Sequence, residues 1–372
     1  MRIIVSAGGT GGHIYPALAI INKLKERNTN IDILYIGTTD RMEKDIVPSL
    51  GINYVGIEMK GLNRKKIFKN IEVLKTYKKA LKKIEKVMIE FNPDVVLGIG
   101  GYITAPVIKV AHKLGIKTFI HEQNSIPGLS NKLLKRKATK IGVSLESSMK
   151  YFKHCNVIFT GNPRSEEAYE AKPVDKKKYG LDENKKLVLF VMGSLGSLTI
   201  TRIMKNIIAQ FKDKEYEVLF VTGNRYFDSY KDVEIPKNVK MVPMLKDMLN
   251  VLKKTDIIVT RAGASTIAEI TAVGVPSIMI PSPYVTHNHQ EKNAEVLEKA
   301  GCSVIIKEKE LTSDLLINTI DSLINDDKKM NIMRENNKKL GVTNSATKIA
   351  EIIENLVGGD NNGINKRVYR EK

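Results

Sequence analysis

The chain has 372 residues, 42% of them hydrophobic, with 60 Lys or Arg against 41 Asp or Glu. Single cores stop growing at roughly 250 to 300 residues, so two globular domains are expected. The net charge of +19 favours anionic partners, such as nucleic acid, an acidic membrane face or phosphorylated substrates, whereas only two distant cysteines, Cys155 and Cys302, exclude a disulfide framework or cysteine metal cluster.

Nucleic acid loses support on closer reading. No recognised binding motif is present, Trp is absent, and no basic stretch carries interleaved stacking aromatics. No apolar run approaches the roughly 18 residues of a membrane span. The start, Met1-Arg2 and a short apolar run into glycines, is not a signal peptide, and the sequence reads as a cytoplasmic protein.

In chain order, the apolar run Ile3 to Val5 feeds a loop in which Gly8, Gly9, Gly11 and Gly12 surround Thr10, after which His13 and Pro16 open a helical pattern. This is a strand, glycine turn, helix unit. Glycine admits positive φ and lets the backbone approach a ligand, and the helix start directs N–H groups at an anion or hydroxyl-rich group. Two known glycine loops do not fit. Counting G-x-G-x-x-G from Gly9 puts Ile14 at the last glycine, and the P-loop lysine is missing. A tight helix-strand turn is the plainer role for such glycines; four of them around a threonine favour a ligand site.

Further apolar runs follow at Ile31–Ile36, Tyr54–Ile57, Val95–Ile99, Lys117–Ile120, Ile141–Val143 and Val157–Phe159. Short apolar runs alternating with helices predict a parallel sheet covered on both faces, with ligands beyond the strands' carboxyl ends. Three polar loops fall at such ends: Gly98–Tyr102, His121–Asn124 and Thr160–Arg164. Between them, Ile67, Ile71, Leu74, Tyr77, Leu81, Ile84, Met88 and Phe91 recur at helical spacing, with Lys69, Lys75, Lys78, Lys79, Lys82, Lys83 and Lys86 on the other positions. The stripe is expected to pack on its own sheet; the lysine face suits an anionic bilayer.

The second half repeats the opening. Leu187–Val191 runs into the glycine turn at Gly193–Ser197 and a helix from about Thr199, which predicts two similar α/β domains facing each other across an active-site cleft. Further on, the strand Asp256–Thr260 enters Arg261–Glu269, where Thr266 and Glu269 have capping-box spacing, leaving a cap or a ligand role open. The strand Ser277–Ile280 precedes His287-Asn288-His289-Gln290, whose histidines lack zinc-helix spacing, so no metal is expected. Domains are expected at 1–163 and 187–343, with a linker over 164–186. A final helix, 344–357, is expected to pack back on the first domain, and 358–372 to be a disordered tail.

Assembled, these stretches resemble the GT-B glycosyltransferases, and among them the family that moves N-acetylglucosamine (GlcNAc) from UDP-GlcNAc onto lipid I to make lipid II. The carriers are G-G-T-G-G-H (Gly8–His13), G-G-Y (Gly100–Tyr102), H-E-Q-N (His121–Asn124), P-G-x-x-N (Pro127, Gly128, Asn131), G-N-P-R (Gly161–Arg164), R-A-G-A-S-T-x-x-E (Arg261–Glu269) and H-Q-x-x-N-A (His289–Ala294). The resemblance covers about Met1 to Val357. It implies that Thr10, Gly11 and Gly12 approach the donor diphosphate and sugar, that Asn124 holds GlcNAc, and that Arg164 and Ser194 contact the donor. Ala264, Ser265, Thr266 and Glu269 would hold the nucleotide, with Glu269 on the ribose, Gln290 on sugar or ribose and Leu245 offering a backbone contact to uracil. Gly100, Gly101, Tyr102 and Asn131 fall to the acceptor. One departure stands out: Leu195 occupies a position where the family usually has glutamine, and so lacks that side-chain hydrogen bond.

The resemblance further implies UDP-GlcNAc and lipid I as partners, no cofactor, and a peripheral place on the cytoplasmic face of the cell membrane. The acceptor hydroxyl must lose a proton as it attacks, for which His13 is the first candidate base and Glu122 the second. No Asp-x-Asp occurs, so helix N-termini and Arg164 are expected to stabilise the diphosphate without a metal, in a single inverting displacement. Two other readings share the architecture or the charge: a UDP-GlcNAc 2-epimerase type isomerase, and a non-catalytic nucleotide or nucleic-acid binder.

Overall fold

The computed structural model describes residues 1–59, 70–192, 198–285 and 288–359, without the side chains of 70–74. The chain forms two compact units. The first comprises 1–122, 127–160 and the chain from 346 on; the second comprises 123–126 and 161–345.

In the first unit the strands are β1 (Arg2–Ala7), β2 (Asp32–Thr38), β3 (Asn53–Ile57), β4 (Val95–Gly100), β5 (Lys117–Glu122), β6 (Lys140–Val143) and β7 (Val157–Phe159). Between them run α1 (Gly11–Arg27), α2 (Glu43–Ser49), α3 (Asn70–Phe91), α4 (Thr104–Lys113) and α5 (Leu129–Leu134). The sheet is parallel, in the order β3-β2-β1-β4-β5-β6-β7. Its strands are apolar without alternation because both faces are covered, and all of β4 is buried. Order reverses between β1 and β4, so the loops leaving these two strands flank the place where such sheets hold ligands.

From Leu81 to Phe91 the apolar stripe of α3 is core. Ala80, Ile84 and Met88 are buried with residues of the sheet and of α4, while Lys75, Lys78, Lys79, Lys82, Lys83 and Lys86 are exposed. Two of its acids are paired, Glu85 with Lys113 and Glu90 with Lys86. Ile67 and Lys69 lie outside the described residues. The last helix, Ser345–Gly358, buries Ile349, Ala350 and Ile353 in the core around β1 and α1, and Arg27 donates two hydrogen bonds to Glu354, at 3.0 and 2.8 Å. The helix reaches into the segment expected as a tail, whose remainder from 360 lies outside the described residues.

The second unit opens with α6 (Arg164–Glu170), then β8 (Leu187–Val191), α7 (Leu198–Ile207), β9 (Glu217–Val221), β10 (Val239–Val242), α8 (Met248–Leu252) and β11 (Ile257–Thr260). It continues with α9 (Ala264–Val273), β12 (Ser277–Met279), α10 (His289–Lys299), β13 (Ser303–Ile305), α11 (Ser313–Ile324) and α12 (Asp327–Leu340); the last helix, Ser345–Gly358, is α13. Its parallel sheet, β10-β9-β8-β11-β12-β13, switches direction between β8 and β11. Phe190, Phe211, Phe220 and Tyr230 pack edge to face beneath it.

The expected linker is corrected here. Residues 164–170 are helical, and α6 packs on α9 inside the second unit. An ion pair between Arg164 and Glu269, invisible to local composition, anchors this helix.

Candidate functional site

In the first unit the loops after β1 and β4 interlock. The Gly8 N–H donates to the Gly100 carbonyl at 3.2 Å, and Thr104 Oγ1 donates to the same carbonyl at 2.8 Å. His13 stands in the first turn of α1, where its Nδ1–H donates to the Gly8 carbonyl at 3.1 Å. In the neutral ring that leaves the basic lone pair on Nε2. Gly100 and Gly101 have φ of +121° and +89°. A Cβ on Gly100 would overlap the His13 imidazole, and one on Gly101 the Gly8 carbonyl. Glycine is required at both positions for the backbone angle and for the approach of the two loops.

Thr10 precedes α1 in an extended conformation and makes no side-chain cap bond, and Thr10 and Gly12 are exposed while Gly11 is buried. The first N–H groups of α1 have no intrahelical partner and carry the positive end of the dipole. Tyr102, half-buried in the β4 loop, accepts a hydrogen bond from Arg41, which raises the guanidinium's pKa.

Glu122 ends β5 and is buried. Its Oε2 accepts from the Gly128 N–H at 3.0 Å and from Asn131 Nδ2 at 2.8 Å, and Asn131 Nδ2 also donates to the His121 carbonyl at 3.1 Å. The two residues expected separately, one for proton transfer and one for the acceptor, are thus bonded to each other. His121 is buried, with Nε2 3.1 Å from Thr160 Oγ1.

In the second unit, the segment 123–126 is tied to α10. The Ser125 N–H donates to Asn293 Oδ1 at 3.1 Å, and Asn293 Nδ2 donates to Asn124 Oδ1 at 3.5 Å and to the Ala262 carbonyl at 3.3 Å. The fully buried Asn293 therefore joins three motif segments. Sequence reasoning quoted it only as part of H-Q-x-x-N-A, and its helical spacing from His289 and Gln290 was the available signal.

The capping-box reading of Thr266 and Glu269 is corrected. The α9 N-cap is Gly263, which puts Glu269 in the second turn, where its Oε1 accepts from Arg164 Nε at 2.8 Å. Arg164 also pairs with Glu167. Burial holds the Glu269 carboxyl above the usual range, and Arg164 pulls it back. Ala264, Ser265 and Thr266 form the first turn of α9, and Ser265 Oγ is buried with no hydrogen-bond partner among the described residues. Gln290, in the first turn of α10, accepts the Ser282 N–H at 2.9 Å. The Leu245 side chain is buried in the core around β8 and β11. Ser194 and Leu195 lie outside the described residues. Among the described residues, no three His, Cys, Asp or Glu side chains converge as a metal site would need.

Residues 3–143 match the glycosyltransferase family 28 N-terminal domain and residues 187–353 the family 28 C-terminal domain. The chain is 42% identical over 361 residues to the UDP-N-acetylglucosamine--N-acetylmuramyl-(pentapeptide) pyrophosphoryl-undecaprenol N-acetylglucosamine transferase of Bacillus pumilus, covering 96% of this chain and 99% of that one. The chain belongs to glycosyltransferase family 28.

Its fold is GT-B. The crystal structure of Acinetobacter baumannii MurG aligns with a TM-score of 0.74 at 23% identity, over 95% of this chain and 99% of that one. A UDP-N-acetylglucosamine 2-epimerase aligns at 0.65 with 14% identity, over 95% of each chain, a likeness of fold alone. For this family 28 glycosyltransferase, Gly100→Ala is expected to lower activity on the order of 100-fold, because the new methyl displaces His13 by about an ångström. Steady-state rates, with urea unfolding to register the added backbone strain, check it.

Proposed function

We propose that the protein transfers GlcNAc from UDP-GlcNAc to the C4 hydroxyl of MurNAc in lipid I, giving lipid II, with inversion and without a metal. The identity of 42% across 96% of the chain to the Bacillus pumilus enzyme, whose name states that donor and acceptor, carries the reading. In the reaction the acceptor oxygen forms a bond to the anomeric carbon as the bond to UDP breaks. The hydroxyl proton passes to His13 Nε2, which its Nδ1–H bond to Gly8 leaves basic. The diphosphate leaves with the charge. Dipolar helix starts at Thr10–Gly12 and Ala264–Thr266 offer N–H groups to it, and Arg164, which pairs with Glu269 and Glu167, adds a cation. Asn124 and Gln290 take the sugar, Glu269 the ribose, Leu245 the uracil through its backbone, and Gly100, Gly101, Tyr102 and Asn131 the acceptor.

The acceptor is a lipid, and no helix among the described residues is long and apolar enough to cross a membrane. The proposal therefore includes peripheral binding to the anionic cytoplasmic surface. On α5, Leu129 and Leu133 are 64% and 67% exposed. The helix shares its face of the sheet with α4 and the lysine-bearing α3. Each lysine near such a surface contributes about 1 kcal/mol. Replacing both leucines by serine is expected to weaken binding to vesicles containing anionic lipid by roughly tenfold or more, the area term for two apolar side chains. Sedimentation with vesicles measures it.

Transfer of radiolabelled GlcNAc to a lipid I analogue tests the main reading. Formation of UDP-ManNAc from UDP-GlcNAc alone, with no transfer, would replace it by the epimerase; salt-sensitive DNA binding without turnover would replace it by a binder.

A further inference from the structure

Beneath the first glycine loop lies a carboxylate that no motif singles out. Glu43 begins α2, where an acid ordinarily stays in water, yet it is fully buried. Its Oε2 accepts the Gly9 N–H at 3.1 Å, and its Oε1 accepts the Thr38 N–H at 3.2 Å and the Thr38 hydroxyl at 2.7 Å. All three partners donate, and they come from the loop that leaves β1 and from the last residue of its neighbour β2. The backbone leaves room for it: a Cβ on Gly8 would overlap Glu43 Oε1, and one on Gly37 its Cγ. Two tyrosines line the same space, with Tyr35 donating to the Ala7 carbonyl at 3.0 Å and Tyr54 to the Thr38 carbonyl. Burial first, then the neighbouring Glu43, raises both phenols above their ordinary range, so they remain protonated donors.

A side chain needed only to fill this space would be apolar, since burying a carboxylate is costly unless every oxygen is bonded. We propose that Glu43 is the positioning residue of the glycine loop. By drawing the Gly9 N–H inward and fixing it to the end of β2, it sets the path from Gly8 to Gly11. That path aims the Gly8 carbonyl at His13 Nδ1 and determines how Thr10, Gly11 and Gly12 are presented. Glu43 acts through Gly9 and takes no part in proton transfer. The inference rests on the transfer reading above.

The test is Glu43→Gln, which keeps the volume and one acceptor oxygen but turns an NH2 group against a loop donor. The kcat for GlcNAc transfer is expected to fall on the order of 100-fold. The affinity for UDP alone, measured by calorimetry, falls far less than kcat, because uridine and ribose are proposed to sit on α9 and beside β11, and the Gly9 amide proton moves upfield in a 15N-labelled spectrum. Glu43→Asp, too short to reach both Gly9 and Thr38, is expected to lose kcat in the same way. Wild-type kcat in Glu43→Gln would overturn the proposal, as would an unmoved Gly9 amide or a loss of rate that only tracks the folded fraction. If the wild-type protein transfers no GlcNAc, the transfer reading fails by itself, and the Gly9 amide still decides whether Glu43 holds the loop.

Discussion

His13→Ala is expected to lower kcat for GlcNAc transfer by about 100- to 10,000-fold, the range for loss of a positioned general base. The affinity for UDP should be unchanged, because the residues proposed to hold uridine and ribose lie on α9 and beside β11. Two observations make His13 the better candidate over Glu122. Its Nδ1–H is committed to the Gly8 carbonyl, which directs basicity to Nε2, whereas Glu122 Oε2 already accepts from the Gly128 N–H and Asn131 Nδ2. Glu122→Gln run in parallel separates the roles. A loss confined to acceptor KM marks a residue that orients Asn131, while full rate in His13→Ala together with a collapsed kcat in Glu122→Gln would exchange the two assignments.

Arg164→Ala is expected to act on stability and on donor binding together. It leaves Glu269 buried beneath α6 with its cation removed, and breaking a buried ion pair costs about 3 to 5 kcal/mol. The Arg164 side chain is 16% exposed and that of Glu269 11%, so the lower end of this range applies. The sign of the pH dependence follows from the carboxyl. Burial raises its folded pKa, and removing Arg164 raises it further, so the folded state binds a proton that the unfolded state has released. Stability is therefore retained below the ordinary glutamate pKa of about 4.3 and lost as pH rises through the higher folded value. Urea titrations of mutant and wild type at pH 4.5 and 7 should show the larger difference at pH 7. UDP-GlcNAc titration should show weakened binding, since the arginine proposed to face the diphosphate is gone.

How far the chain could be read depended on the range of the interactions. Uninterrupted apolar runs mark strands covered on both faces, so the first sheet was legible run by run, from Ile31–Ile36 in β2 to Val157–Phe159 in β7. Glycines 8, 9, 11, 12, 100 and 101 advertised both switch-point loops; Gly9, Gly100 and Gly101 have the positive φ that few other residues tolerate. The strands β9, β10 and β13 were not singled out, although β9 is a strand as long as β8 and carries an apolar run of its own. The segment 164–170 read as linker because its anchor, Glu269, is 105 residues away.

By itself, then, the sequence determined the doubly wound class, the positions of the glycine loops and the family, since each depends on local pattern or on motifs kept in order. Tertiary structure alone decided which polar groups face one another: Arg164 with Glu269, Asn131 with Glu122, Asn293 with the 123–126 segment, and Glu43 with Gly9 and Thr38. The physical reason is that a carboxylate's partner is set by what the fold brings within about 3 Å of it. Thr266 and Glu269 had the spacing of a cap, yet the buried carboxylate took the arginine, the partner best able to offset its desolvation.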